Sequence, residues 1–132
     1  MNKVFAPIPE HVESVASQVI DSAMAVHRAL GPGLLESVYE LCLCHELTNR
    51  GIPFQSQLHV PVTYGGLCLD TDLRIDLLVN DSVVTELKAV DQVLPLFEAQ
   101  LLTYLKLAEK RVGLLINFNV PLLKHGIRRM VR

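Results

Sequence analysis

Long apolar runs are missing from this sequence. Its hydrophobic stretches are short and broken by charged or polar groups. That excludes a membrane-spanning helix, which needs about 20 consecutive apolar residues. The N-terminus, Met1-Asn2-Lys3-Val4-Phe5-Ala6-Pro7, lacks the continuous apolar core of a signal peptide. Cysteine is scarce: Cys42, Cys44 and Cys68 are the only three. An odd, sparse set fits free thiols in a reducing compartment better than a disulfide framework. The expectation is a cytoplasmic protein with no membrane association. Internal repeats, low-complexity tracts and linkers are also missing, so residues 1–132 are read as one domain. Neither sign of charge dominates. A net charge of −2 carries no bulk signature of nucleic-acid binding, although a local basic surface can supply one.

Half of the residues are hydrophobic and a fifth are charged, enough to build a packed core and too apolar for a disordered chain. From His11 to Leu30 apolar residues recur at three- and four-residue spacing, which predicts a helix ended by Gly31-Pro32-Gly33. A second helix is expected from near Leu34 to Arg50-Gly51. The period then changes. Gln57 to Thr63 reads as one strand, at a sheet edge because of Pro61. Leu67 to Leu69, Asp72 to Val79 and Val83 to Val90 read as further strands. Pro95 to Ala108 reads as a helix, Arg111 to Phe118 as a buried strand, and Gly126 to Arg132 as a last strand. The order α-α-β-β-β-β-α-β-β describes an α/β chain with a mixed sheet and helices packed on it.

The two middle strands can be registered by their faces. Ile75, Leu77 and Val79 alternate with Arg74, Asp76 and Leu78; Val83, Thr85, Leu87 and Ala89 alternate with Val84, Glu86 and Lys88. A two-residue turn at Asn80-Asp81 would pair Asp76 with Thr85 and mix the faces. A three-residue loop, Asn80-Asp81-Ser82, pairs Val79 with Val83, Leu77 with Thr85, Asp76 with Glu86 and Arg74 with Lys88. Opposed Cβ atoms lie roughly 4.5–5.5 Å apart, and two carboxylates that close repel unless a proton or cation sits between them.

Such a pair suits a hard divalent cation bound through oxygen, Mg²⁺ before Mn²⁺. The cation would polarise a phosphodiester and acidify a bound water. Lys88, on the face of Glu86, can orient or deprotonate that water or neutralise charge at phosphorus. A solvated strand face with a surface ion pair is the competing reading of Glu-x-Lys. Two helical pairs add polar groups: Glu36 with Tyr39, and Gln100 with Tyr104, each on one helix face.

Gly33, Glu36 and Tyr39 match the pattern that names the GxxExxY protein family, a branch of the PD-(D/E)XK nuclease superfamily. The chain resembles that family nearly throughout: Val26-His27-Arg28 before Gly31-Pro32-Gly33, then Arg74 to Val79, Glu86 to Val90, Glu98 to Lys106, and Arg111 to Phe118. The resemblance implies a restriction-endonuclease-like core, with Asp76 and Glu86 as metal ligands and Lys88 as the catalytic lysine. It makes Glu36 the acidic residue on the preceding helix that completes the metal site. Gln100 becomes an auxiliary polar residue of the catalytic set. Ile75 stands where the superfamily name has Pro.

Other residues have plainer readings. His27 reads as a core-edge histidine bonded to a carbonyl, with a pocket role beside Glu36 as the competitor. Tyr39 and Tyr104 read as packing residues with hydroxyls at a pocket edge. Cys42 and Cys44 do not share a helix face, and so form no zinc site. Lys106, Lys110, Arg111, Lys124, Arg128, Arg129 and Arg132 are either solvated surface or a phosphate-backbone footprint. The expected function is Mg²⁺-dependent hydrolysis of phosphodiester bonds in DNA or RNA. A catalytically inactive nuclease-fold binding or scaffold module is the alternative. Nucleic acid and a second copy of the chain are the expected partners.

Overall fold

The computed structural model describes residues 6–132. Met1 to Phe5, part of the stretch on which the signal-peptide expectation rests, lie outside the described residues. Helix α1 (Glu10–Leu30) and helix α2 (Glu36–Asn49) come first. Strands β1 (Phe54–His59), β2 (Val62–Tyr64), β3 (Leu67–Leu69), β4 (Arg74–Val79) and β5 (Val83–Lys88) follow. Helix α3 (Pro95–Ala108), strand β6 (Val112–Asn117), a single 3₁₀ turn (Leu123–His125) and strand β7 (Ile127–Val131) complete the chain. Among the described residues no helix is long and apolar enough to cross a membrane.

Five strands form a mixed sheet in the order β1-β4-β5-β6-β7. Only β5 and β6 run parallel, and α3 is the crossover that joins them. Helices α1 and α2 cover one face, and α3 covers the other. Helix α1 starts at Pro9 with no side-chain cap. It buries Val12, Val15, Ala16, Val19, Ala23 and Val26 instead. A cap contributes typically ~1 kcal/mol, whereas each fully buried Val contributes roughly 1.5 kcal/mol or more. Packing therefore decides where this helix sits.

The expected strand from Gln57 to Thr63 is two strands. Pro61 has no N–H for a ladder, and the chain leaves the sheet there. The first part is the edge strand β1; the second, β2, pairs with β3 in a separate hairpin.

The three-residue loop is present. Val79 pairs with Val83, Leu78 with Val84 and Leu77 with Thr85. Asn80 and Asp81 take φ of 47° and 52°, a left-handed conformation that Asn and Asp tolerate. Two details of the expected register are corrected. The ladder stops at Leu77–Thr85, so Arg74 and Lys88 do not pair. In addition, Ile75 does not share a face with Leu77 and Val79. Ile75 packs in the α3-side cluster, while Leu77 and Val79 pack under α1 and α2. Strand β1 does the same: Phe54 packs with the α1–α2 cluster and Leu58 with the α3 cluster. Regular alternation would put residues four apart on one face. Both inversions fall at one place, because Ser56 pairs with Leu77 and Leu58 with Ile75, leaving Gln57 facing Asp76. Gln57 adopts φ of 52°, an uncommon value for a non-glycine residue.

Candidate metal centre

Beyond Leu77–Thr85 the two central antiparallel strands are joined by side chains instead of backbone pairs. The Asp76 N–H donates to Glu86 Oε2 at 3.1 Å, and the Leu87 N–H donates to Asp76 Oδ2 at 2.9 Å. Each carboxylate takes an acceptor place that a carbonyl holds in a regular ladder, and fixes itself on the opposite strand. Asp76 and Glu86 therefore meet, although not as the face-matched pair expected from alternation.

Glu86 is only 7% exposed. Burial, and then the adjacent Asp76 charge, push its carboxyl up to about 9, while Lys88 pulls the other way. Without a cation Glu86 is the protonated partner near neutral pH. Tyr104 on α3 senses the same pair: burial first, then Glu86 and Asp76, raise its hydroxyl.

Lys88 ends β5, half-buried, with its ammonium 4.5 Å from the centre of the Phe97 ring. Glu36 is the first residue of α2, where an acid suits the helix dipole. Partial shielding from water raises its carboxyl; Lys88 opposes this and Asp76 adds to it. A cavity of about 400 Å³ lies at this place, lined by Glu36, Ser37, Glu40, Gln57 and Asp76. Gln100 lies elsewhere, in an α3 cleft that also includes Lys88 and Tyr104. The structure thus brings Asp76, Glu86 and Lys88 together, sets Glu36 at the mouth on the α2 side, and puts Gln100 on the α3 side. Among the described residues no three His, Cys, Asp or Glu side chains are grouped to hold a metal ion. The set fits Mg²⁺ nonetheless, because that ion usually retains several waters and takes only one or two carboxylates.

Two residues of the site went unread in the sequence. The Gln57 amide donates to Glu40 Oε1 at 2.7 Å and to Asp76 Oδ1 at 3.4 Å. Glu40 is one helical turn from Glu36, a spacing that could have revealed it. Gln57 gives no such signal, since nothing in its local sequence calls for a left-handed backbone inside a strand.

Tyr39 explains how Glu36 is placed. Its hydroxyl donates to the Gly31 carbonyl at 2.6 Å and accepts from the Leu34 N–H at 3.2 Å. Its ring stacks on Phe118, with centroids 4.5 Å apart. The turn it clasps needs φ of 69° at Gly31 and 101° at Gly33, where a side chain would be strained. Tyr39→Phe is expected to cost about 1–2 kcal/mol in urea unfolding. It should leave the ring stacking intact; an unchanged midpoint would remove the clasp from this account. His27 takes the plainer of its two readings: buried, with Nε2 2.8 Å from the Val120 carbonyl oxygen.

Most of the C-terminal basic residues are engaged. Lys110 pairs with Asp81, Arg128 with Glu98 and Arg129 with Glu13. Arg111 donates to the carbonyls of Arg132 and Ala6. They form intramolecular ties instead of an open cationic stripe.

No curated protein and no solved structure matches this sequence. A comparison with protein families matches residues 13–130. That span runs from the first helix to the last strand and takes in the splayed strand ends with their two carboxylates and lysine. By that match the chain belongs to the PD-(D/E)XK nuclease superfamily.

Proposed function

We propose that the protein is a Mg²⁺-dependent nuclease hydrolysing phosphodiester bonds in DNA or RNA, with its centre at Asp76, Glu86 and Lys88. The observation that carries this reading is the Asp76–Glu86 pair, buried at Glu86 and half-buried at Asp76, fixed across the open end of two strands with an ammonium group two residues on. Evolved cores seldom keep two adjacent carboxylates without something to neutralise them. Asp76 and Glu86 would hold Mg²⁺ or Mn²⁺. When bound, the ion supplies Lewis acidity toward a phosphodiester oxygen and acidifies a water. Lys88 then steadies negative charge at phosphorus or orients the attacking water from Nζ. Glu36 would be a further ligand from α2, and Gln100 an auxiliary polar residue from α3. Gly33, Glu36 and Tyr39 support the GxxExxY branch within the superfamily, and the three free cysteines support action in the cytoplasm.

Thermal unfolding with and without Mg²⁺ or Mn²⁺, followed by cleavage of labelled single- and double-stranded DNA and RNA, tests the proposal. Wild type should be stabilised by the cation and cut at least one substrate. Asp76→Ala should lose both effects while remaining folded. No stabilisation and no cleavage with either ion would end the nuclease reading. A binding module that does not cut is favoured by one observation, the lack of a three-ligand group among the described residues; it predicts oligonucleotide binding without turnover.

A further inference from the structure

The α3 side of the centre opens into a cleft of about 720 Å³ with Leu73, Leu96, Phe97, Gln100, Tyr104 and Lys88 among its lining. Its size falls within the roughly 300–1,000 Å³ of small-molecule sites. Its chemistry is divided. Leu73, Leu96 and Phe97 form an apolar wall, and Leu96 is 70% exposed. Gln100 and the Tyr104 hydroxyl supply donors and acceptors. Lys88 belongs to both the cleft and the metal centre, with its ammonium over the Phe97 ring.

We infer that this cleft receives an unpaired nucleobase, which makes the substrate single-stranded nucleic acid. The inference rests on the nuclease reading of the Asp76–Glu86 centre and names its substrate class. A phosphate drawn to Lys88 arrives at the rim of the cleft, so the base next to that phosphate lies against the apolar wall. A base within a duplex cannot enter, because its faces are stacked and its edge is paired. Charge supports the same choice. Proteins that follow duplex backbones use extended rows of free cations. Here Lys110, Arg111, Arg128 and Arg129 are held by acids or carbonyls of the chain itself. Stacking adds affinity for nucleic acid without a continuous row of cations, and stacking requires exposed base faces.

Fluorescence anisotropy tests this with labelled oligo-dT and oligo-U, an abasic oligonucleotide of equal length and charge, and a duplex. The protein carries Glu86→Gln, which blocks cleavage, so binding is read whether or not wild type cuts. The single strands should bind about 10-fold or more tightly than the abasic strand and the duplex. Phe97→Ala should remove most of that difference, and Phe97→Leu, which keeps the apolar wall packed, should remove part of it. Equal affinity for abasic and base-bearing strands overturns the inference, as does a duplex preference or no oligonucleotide binding. A second copy of the chain covering the cleft would also overturn it. In that case Phe97→Ala shifts the sedimentation coefficient and leaves oligonucleotide affinity unmoved. Wild-type cleavage with Mg²⁺ is scored separately, so the nuclease reading can stand when the base cleft falls.

Discussion

Glu86→Gln is expected to stabilise the protein at pH 8 while abolishing its response to Mg²⁺. Substitutions at a buried position usually destabilise; the opposite sign follows here from proton linkage. In the folded protein the Glu86 carboxyl is pushed to about 9 by burial and by Asp76, from an ordinary value of 4.5. A raised value means that the folded state holds a proton the unfolded chain has released. The native state carries no penalty from this group below pH 4.5. Stability is then lost progressively as pH rises from there toward about 9, and the loss is complete above that. Gln imitates the protonated acid. It can still accept from the Asp76 N–H, and it can offer its own N–H to the Asp76 carboxylate. The gain at pH 8 is on the order of 2–4 kcal/mol, discounted from the full linkage for relaxation of the pair.

Urea unfolding of wild type and Glu86→Gln at several pH values from 5 to 9 reads the effect. The two curves should nearly coincide at acid pH and separate as pH rises. Saturating Mg²⁺ should recover wild type alone, by about 2.7 kcal/mol at 100 times the dissociation constant. Parallel curves across the range would mean that Glu86 ionises freely, and the strained carboxylate pair would be lost as an argument for a metal.

Lys88→Met is expected to separate chemistry from metal binding. Methionine keeps the length and the apolar stem, so packing on Phe97 is largely preserved. The ammonium is lost, and with it the group placed to orient the attacking water or face the phosphorus. A positioned acid–base group contributes roughly 10²–10⁴-fold in rate, so cleavage should fall by that order. Mg²⁺ stabilisation should stay within a few-fold, because Asp76 and Glu86 are untouched. Lys88 lowers the values of both Glu86 and Glu36. Removing it strengthens attraction for the cation and also makes Glu86 harder to ionise, and these effects oppose each other. Single-turnover cleavage beside a Mg²⁺ titration distinguishes the roles. Wild-type rates in Lys88→Met would reduce the lysine to an ion-pair partner. Parallel loss of rate and cation response would make it structural.

The arrangement of the central hairpin was legible because one constraint fixed it. Only an odd loop keeps Val79 opposite Val83 and Leu77 opposite Thr85, and the structure has that loop. The periodicity from His11 to Leu30 likewise located α1, whose apolar stripe meets the sheet. Short-range signals of this kind also chose Asp76, Glu86 and Lys88. They failed where a residue's conformation is set by partners far along the chain. Gln57 is left-handed inside a strand, with its amide between Glu40 and Asp76, 17 and 19 residues away. That inversion sends Ile75 and Leu58 to the other face, which no alternation rule anticipates. Pro61 was read as an edge marker when it also divides the strand.

What the sequence determined by itself, then, is most of the elements and the choice of Asp76, Glu86 and Lys88 as candidates, since period, turn chemistry and spacing are local properties. The tertiary structure decided how the pair meets. Two strands part at Leu77–Thr85, and each carboxylate bonds the backbone of the other strand. Burial under packed helices then holds Glu86 protonated near neutral pH. Desolvation and cross-strand bonding depend on what lies beside a residue in space, and only the folded chain supplies that neighbour.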